Sequence, residues 1–417
     1  MVMSAAASSP ARTEASEGSS RAPSRPARAW ALALLALGAA GAGIPSSLYP
    51  AYQAQLGFSD ATLTAIYAVY PLVSVPAVFL LGPLGDRFSP RRVMRSGIAV
   101  AAAGSIALAL ATSTGWLILG RVAYGVALAI VTGAGVAVAT SGADKVRAGL
   151  VSATVFILGT GLGPVLGGAL TGFGPSPGLL PFGVDVVLLG VVFIGLGSVR
   201  DPEPGPPPDR EAPATDGEPD MTRTVRRALV VAAANGFLGW AVVGLVLGLI
   251  SSVAERFLGL RDPLVAGGLA GALLVCSTLT VPAVTRLGPR RSQLVGLVAL
   301  AGSLVVLAPG VDSLVAVLVA CVIAGLANGL LYSGATTIVA TMAPPQRASG
   351  TAAAVYSAFF LGAGLPALLV GLLTTALPLD TALSTIAVGT LALTALMTVL
   401  SAVDSRHAAR RRASAHR

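Results

Sequence analysis

The chain has 417 residues, of which 54% are hydrophobic and only 11% charged, and its mean hydropathy is +0.82. That excludes an ordinary soluble protein of this length and places most of the chain in lipid. The net charge of +9 does not point to nucleic acid either, because the arginines occupy short gaps between apolar runs and build no basic face with groove-reading elements.

Residues 1–28 are rich in Ala, Ser and Pro, show no apolar periodicity and read as a disordered tail. The first apolar run, from Trp30 to about Tyr49, approaches the length that spans a bilayer and exceeds the apolar core of a cleavable signal peptide. Spanning-length windows then predict helices near 30–52, 61–83, 94–113, 115–140, 147–172 and 180–199. A second set follows near 226–251, 263–285, 292–309, 313–341, 347–375 and 381–403. Between the sets, Arg200 to Arg227 carry seven prolines among alternating acids and bases, a solvated linker. The chain therefore divides into a tail (1–28), a six-helix bundle (29–199), a linker (200–225), a second bundle (226–403) and a basic tail (404–417). All twelve spans must be helical, because lipid offers backbone groups no other partner.

Of the 27 Lys and Arg residues, all but Arg121, Arg256 and Arg261 fall in the tails or in the 2–3, 4–5, 6–7, 8–9 and 10–11 connections. Basic residues accumulate in the cytoplasm, so both termini and the linker are expected there, in a cell-membrane protein. The halves also resemble one another. Gly125, Arg147 and Ala148 recur 200 residues on as Gly325, Arg347 and Ala348, Val75-Pro76-Ala77-Val78 recurs as Val281-Pro282-Ala283-Val284, and Pro90-Arg91-Arg92 recurs as Pro289-Arg290-Arg291. Both cysteines, Cys276 and Cys321, lie inside apolar segments and suggest no disulfide.

Between predicted helices 2 and 3 the sequence reads Gly82-Pro83-Leu84-Gly85-Asp86-Arg87-Phe88-Ser89-Pro90-Arg91-Arg92. Glycines there let helix ends approach, and a carboxylate can cap a helix N-terminus or pair with arginines. Helix 4 carries an intramembrane Arg121 followed by Tyr124 and Gly125, and helix 5 reads Gly159-Thr160-Gly161-Leu162-Gly163-Pro164-Val165-Leu166-Gly167-Gly168. Helix 1 ends in Gly43-Ile44-Pro45-Ser46-Ser47-Leu48-Tyr49-Pro50. Together these segments resemble the signature loop, second motif and exporter motif of the major facilitator superfamily, in its twelve-helix drug:proton antiporter branch. The resemblance implies an all-α membrane protein with two pseudo-symmetric six-helix bundles, and a substrate site between them near mid-membrane.

By that resemblance Asp86 is the residue that holds the cytoplasmic ends together in the outward-open state, and Arg87 or Arg91 pairs with Asp144 at the end of helix 4. The other reading of the loop, including Gly82, Gly85 and Arg92, is a basic turn that only fixes topology. Arg121 should face a cavity or a partner, unless it snorkels to the interface. Gly159, Gly163 and Gly167 form one small-residue face, beside Pro164 and Gly168, for the exporter mechanism or for generic packing. By family analogy the cavity draws on Tyr67, Tyr70, Tyr124, Asn235, Trp240, Asn328, Tyr332, Tyr356, Phe359 and Phe360, an aromatic set with few charges that suits an amphipathic organic ligand. Asp185 in helix 6 is the one acid well inside a span, either a lip carboxylate reaching water or a proton site.

No metal-ligand cluster, phosphate loop or nucleophile and base pair is legible, so no enzyme, metal or cofactor is expected, and the coupling ion is expected to be the proton. The sequence thus predicts a monomeric carrier of small molecules in the lipid bilayer, working as a drug exporter or, alternatively, as an uptake carrier or facilitator for a metabolite.

Overall fold

The computed structural model describes residues 25–82, 87–140, 144–197, 223–307, 313–343 and 348–415. Among them, twelve helices are long and apolar enough to cross a membrane. In the first half these are α1 (Pro26–Leu56), α2 (Asp60–Leu81), α3 (Pro90–Ala109), α4 (Thr114–Ala139), α5 (Arg147–Leu170) and α6 (Leu179–Gly197). The second half holds α7 (Arg223–Leu258), α8 (Pro263–Leu287), α9 (Pro289–Leu307), α10 (Leu314–Met342), α11 (Gly350–Leu373) and α12 (Leu379–Val403). The tail before residue 25 and most of the linker lie outside the described residues.

The helix starts follow from capping chemistry. Ser59 accepts from the Thr62 N–H ahead of α2, and Asp262 from the Leu264 N–H ahead of α8. Ser89 caps α3, and Pro90 sits at its first position, where the missing N–H costs nothing. These two residues start α3 at Pro90, about four residues earlier than the window predicts.

Helices α1 and α7 are longer than their apolar runs. Arg25 to Arg28, expected in the tail, belong to the first helix, and α7 continues past residue 251 to Leu258. Both end at a left-handed glycine, Gly57 at φ 69° and Gly259 at φ 66°, a conformation that L side chains rarely adopt. The surrounding Leu-Gly-x-x-Asp sequences, Leu56 to Asp60 and Leu258 to Asp262, are a further trace of the internal repeat.

Three helices deviate internally. α1 is interrupted between Gly43 and Pro45, α4 contains a π turn at Val131–Gly135, and α8 tightens to a 3-10 turn at Val281–Ala283 around Pro282. α1 and α7 have 78% of their most apolar window buried, against 17% for α12, so the former pair forms the centre and α12 the periphery. The halves meet chiefly along α2 with α11 and α5 with α8.

Candidate functional site

A cavity of about 300 Å³ lies between the halves, in the size range of small-molecule sites. Its wall takes Leu35 from α1, Thr132 and Val136 from α4, Ser152 and Phe156 from α5, Trp240 from α7, Tyr332 and Thr336 from α10, and Tyr356 and Phe359 from α11. The α5 and α11 residues are near those helices' starts and the α10 residues near its end. The cavity therefore lies toward the 4–5 and 10–11 connections.

The aromatic rings form a continuous run. Phe156 and Trp240 have centroids 6.0 Å apart, Trp240 and Tyr332 6.1 Å, Tyr332 and Phe359 5.2 Å, and Tyr356 and Phe359 5.6 Å. Among the described residues, no wall residue is charged. The Trp240 indole N–H is buried and has no acceptor among the described residues, which leaves a donor for a ligand. Thr132 sits on the π turn of α4 and donates to the Leu128 carbonyl at 2.6 Å.

At the opposite end the halves are sealed. Ser251 of α7 donates to the Ser46 carbonyl of α1 at 2.6 Å, and Arg256 at the end of α7 pairs with Asp60 at the start of α2 at 2.6 Å. Gln53 also donates to Asp60, at 3.1 Å.

The helix 5 motif supplies the close approaches behind this seal. A Cβ added to Gly159, Gly163 or Gly167 would collide with the α1 carbonyl of Ala36, Ala40 or Ile44 respectively. Gly168 lies against the Pro263 carbonyl of α8, and the Pro164 carbonyl lies against Gly267. One helix thus packs small residues against its own half and against the other half.

Arg121 is fully buried. Its guanidinium donates to the Ala42 carbonyl and to the Tyr49 hydroxyl, each at 2.6 Å, and lies 4.6 Å from the Tyr70 ring centroid, with Tyr67 at 5.7 Å. It does not snorkel, and no carboxylate pairs with it among the described residues. Asp185, with 3% exposure, is no lip carboxylate. Its Oδ2 accepts from Ser105 Oγ and from the Tyr124 hydroxyl, both at 2.6 Å. Tyr124 is one helical turn from Arg121, and its hydroxyl occupies the space left by Gly41 beside Ala42. Arg121 thus joins α4 to α1, and Asp185 joins α6 to α3 and α4.

Of the residues expected in the cavity, Trp240, Tyr332, Tyr356, Phe359 and Phe360 line it. Tyr67 and Tyr70 surround Arg121, and Tyr124 serves Asp185. Asn235 is buried in the second bundle and donates to Gln293 and Ser401. Asn328 donates to Ser277 at 3.4 Å. Phe156 and the threonines of α4 and α10 were not expected. Phe156 lies one turn before the helix 5 motif, which was the available clue.

Gly85 and Asp86 lie outside the described residues. Gly82 is exposed at the end of α2, and Arg87 and Arg92 are exposed. Arg91 donates to the Gly197 carbonyl at 2.7 Å, tying α3 to the end of α6. Asp144 caps α5 through the Arg147 N–H at 2.9 Å and forms no ion pair with Arg87 or Arg91. The expected pairing does not occur among the ion pairs of the described residues, and the halves are joined at the opposite end.

A cavity between two six-helix halves, closed at one end, has the arrangement found in secondary transporters. A profile of the Major Facilitator Superfamily matches residues 31–285, and the chain belongs to that family. It is 27% identical over 361 residues to the multidrug efflux protein YfmO of Bacillus subtilis, covering 84% of this chain and 87% of that protein. It is 32% identical over 148 residues to the cephamycin export protein CmcT of Amycolatopsis lactamdurans, covering 34% of this chain and 30% of that one. Among solved structures, a bacterial homologue of the human lysosomal transporter Spinster, inward-facing and unoccupied, superposes with a TM-score of 0.70 at 16% identity, covering 92% of this chain and 98% of that one. The nucleoside transporter NupG superposes at 0.66 and 14% identity, covering 91% and 99%. The chain is thus a multi-pass membrane protein of a transporter family.

Proposed function

We propose that this chain exports small amphipathic organic compounds across the cell membrane, as a monomer, in exchange for protons. The observation that carries this reading is the central cavity, whose wall, among the described residues, is an aromatic run with hydroxyls, one open indole donor and no charge. Such a wall suits flat or bulky apolar bodies with a few hydrogen-bonding groups and gives no counter-charge to a small ionic metabolite. The export names of two relatives and the glycines of α5 support the direction.

With the basic connections in the cytoplasm, the conformation faces inward, ready to take substrate from the cytoplasm or the inner leaflet. Both termini are then cytoplasmic. Asp185 is the proton site in this proposal, held by Ser105 and Tyr124, and Arg121 is a fixed positive charge that transmits its state through α4 and the interrupted α1.

Everted membrane vesicles loaded by respiration with an acid interior should take up ethidium when they contain the wild-type chain. Substrate addition should release part of the pH gradient. Accumulation without proton movement would remove the coupling, and equilibration without accumulation would make the chain a facilitator.

A further inference from the structure

A second cavity, of about 580 Å³, lies wholly within the C-terminal bundle, among α7, α9, α10 and α12. It is open on one side to the outer surface of the bundle, through Val305 and Val388. The internal repeat supplies its origin. Arg121 and Tyr124 on α4 fill the interior of the first bundle, while the residues 200 positions later on α10 are Cys321 and Ala324, which both line the void.

The remaining wall is apolar apart from one end. Val242 and Val246 of α7 lie on one side, Ser303 of α9 on another, and the flank reaches Val305 and Val388, which are 57% and 66% exposed on the outer surface of the bundle. An apolar molecule therefore has an entry from lipid. At one end stands Asp380 in the first turn of α12, among the described residues the single ionisable group of the wall apart from the Cys321 thiol. Its Oδ1 accepts from the Thr381 N–H and hydroxyl, and no basic side chain pairs with it among the described residues.

From this we infer a second small-molecule site in the C-terminal bundle, specific for lipophilic organic cations. The body occupies the apolar void and the positive charge lies at Asp380. The site is separate from the central cavity, shares no wall residue with it, and does not depend on transport.

Tetraphenylphosphonium binding to the purified chain by equilibrium dialysis tests this. Two sites per chain are expected in wild type. One should remain in Ala324→Phe, which fills the void, and one in Trp240→Ala, which damages the central cavity. Asp380→Asn, at the exposed end, should weaken the second site about two- to fivefold, the range of a solvent-edged ion pair, and leave binding of neutral triphenylphosphine oxide unchanged. Size-exclusion profile and thermal midpoint report folding, and the Asp380 variant keeps the test valid if Ala324→Phe does not fold. Two sites surviving in folded Ala324→Phe, or equal binding of the cation before and after loss of Asp380, would overturn the inference. So would a co-purified phospholipid that the probe does not displace. If Trp240→Ala retained both sites, the central-cavity reading would fail while this one stood.

Discussion

Arg121 holds a permanent charge in the interior of the first bundle, on a helix where insertion of that charge costs about 2.5 to 3.5 kcal/mol. The Ala42 carbonyl, the Tyr49 hydroxyl and the Tyr70 ring offset that cost without a carboxylate. The planar guanidinium makes these contacts in different directions at once, which a lysine cannot reproduce. Arg121→Lys should therefore keep the fold but lower transport in vesicle flux assays about tenfold or more, and Arg121→Ala should abolish it. Tyr49→Phe removes one acceptor from a buried donor and should lower stability by about 1 to 3 kcal/mol, read as a lower thermal midpoint in detergent. Asp185→Asn keeps the shape of the carboxyl group but cannot exchange a proton. Ethidium should still bind to that variant, while proton release on substrate addition should vanish; unchanged proton release would place the coupling group elsewhere. Arg121 and Asp185 were legible in the sequence because each is a lone charge in an apolar run. Their partners were not, since Tyr49 is 72 positions and Ser105 80 positions away along the chain, and only packing of several helices joins them.

At the scale of the element, α5 is held on both sides by backbone approaches that no side chain larger than hydrogen can allow. Gly163 touches Ala40 and Gly43 at the point where α1 is interrupted. Gly163→Leu should insert into the membrane normally, since it adds apolar surface, yet it should lose transport because α1 and α5 are wedged apart. Normal flux in that variant, with equal expression, would reduce the motif to passive packing. The run of glycines was readable at four-residue spacing, but which neighbour each glycine meets was not. The π turn of α4 left no sequence signal either. It arises where Val131 to Gly135 pack between α1 and α3, and it places Thr132 on the cavity wall. The ends of α1 and α7 show the opposite case: a hydropathy window stops where apolar residues stop, whereas a helix continues until capping chemistry ends it, here at Gly57 and Gly259.

For the molecule as a whole, the conformation rests on the balance between its two ends. The Asp60–Arg256 pair joins the halves at the sealed end, with the two side chains 11% and 50% exposed. A partly solvated pair contributes about 0.2 to 1 kcal/mol, enough to change a near-balanced population up to about fivefold. Asp60→Asn should thus raise labelling of a Ser251→Cys reporter by a membrane-impermeant maleimide, and unchanged labelling would assign the seal to helix packing alone. Orientation has its own check. A reporter fused after Pro208 should read cytoplasmic and one at Ser176 exterior, and the reverse result would invert the direction assigned to the cavity.

Twelve helices, two halves and the family were determined by the sequence, because lipid forces every span to satisfy its own backbone and leaves apolar length and loop charge as a direct record. The aromatic character of the cavity was readable too, as a pool of residue types on helices that face the centre. Which of them line it was decided by tertiary structure: Trp240, Tyr332, Tyr356 and Phe359 do, whereas Asn235 turns into its own bundle and Tyr67 lies beside Arg121 and against Gly248 of α7. Within a helix crossing lipid, apolar residues occur on every face, so periodicity does not distinguish the side toward a substrate from the side toward a neighbour or the membrane. Only the packing of one helix against the others fixes that rotation, and with it the burial of Asp185, the partners of Arg121 and the void that Cys321 and Ala324 leave open.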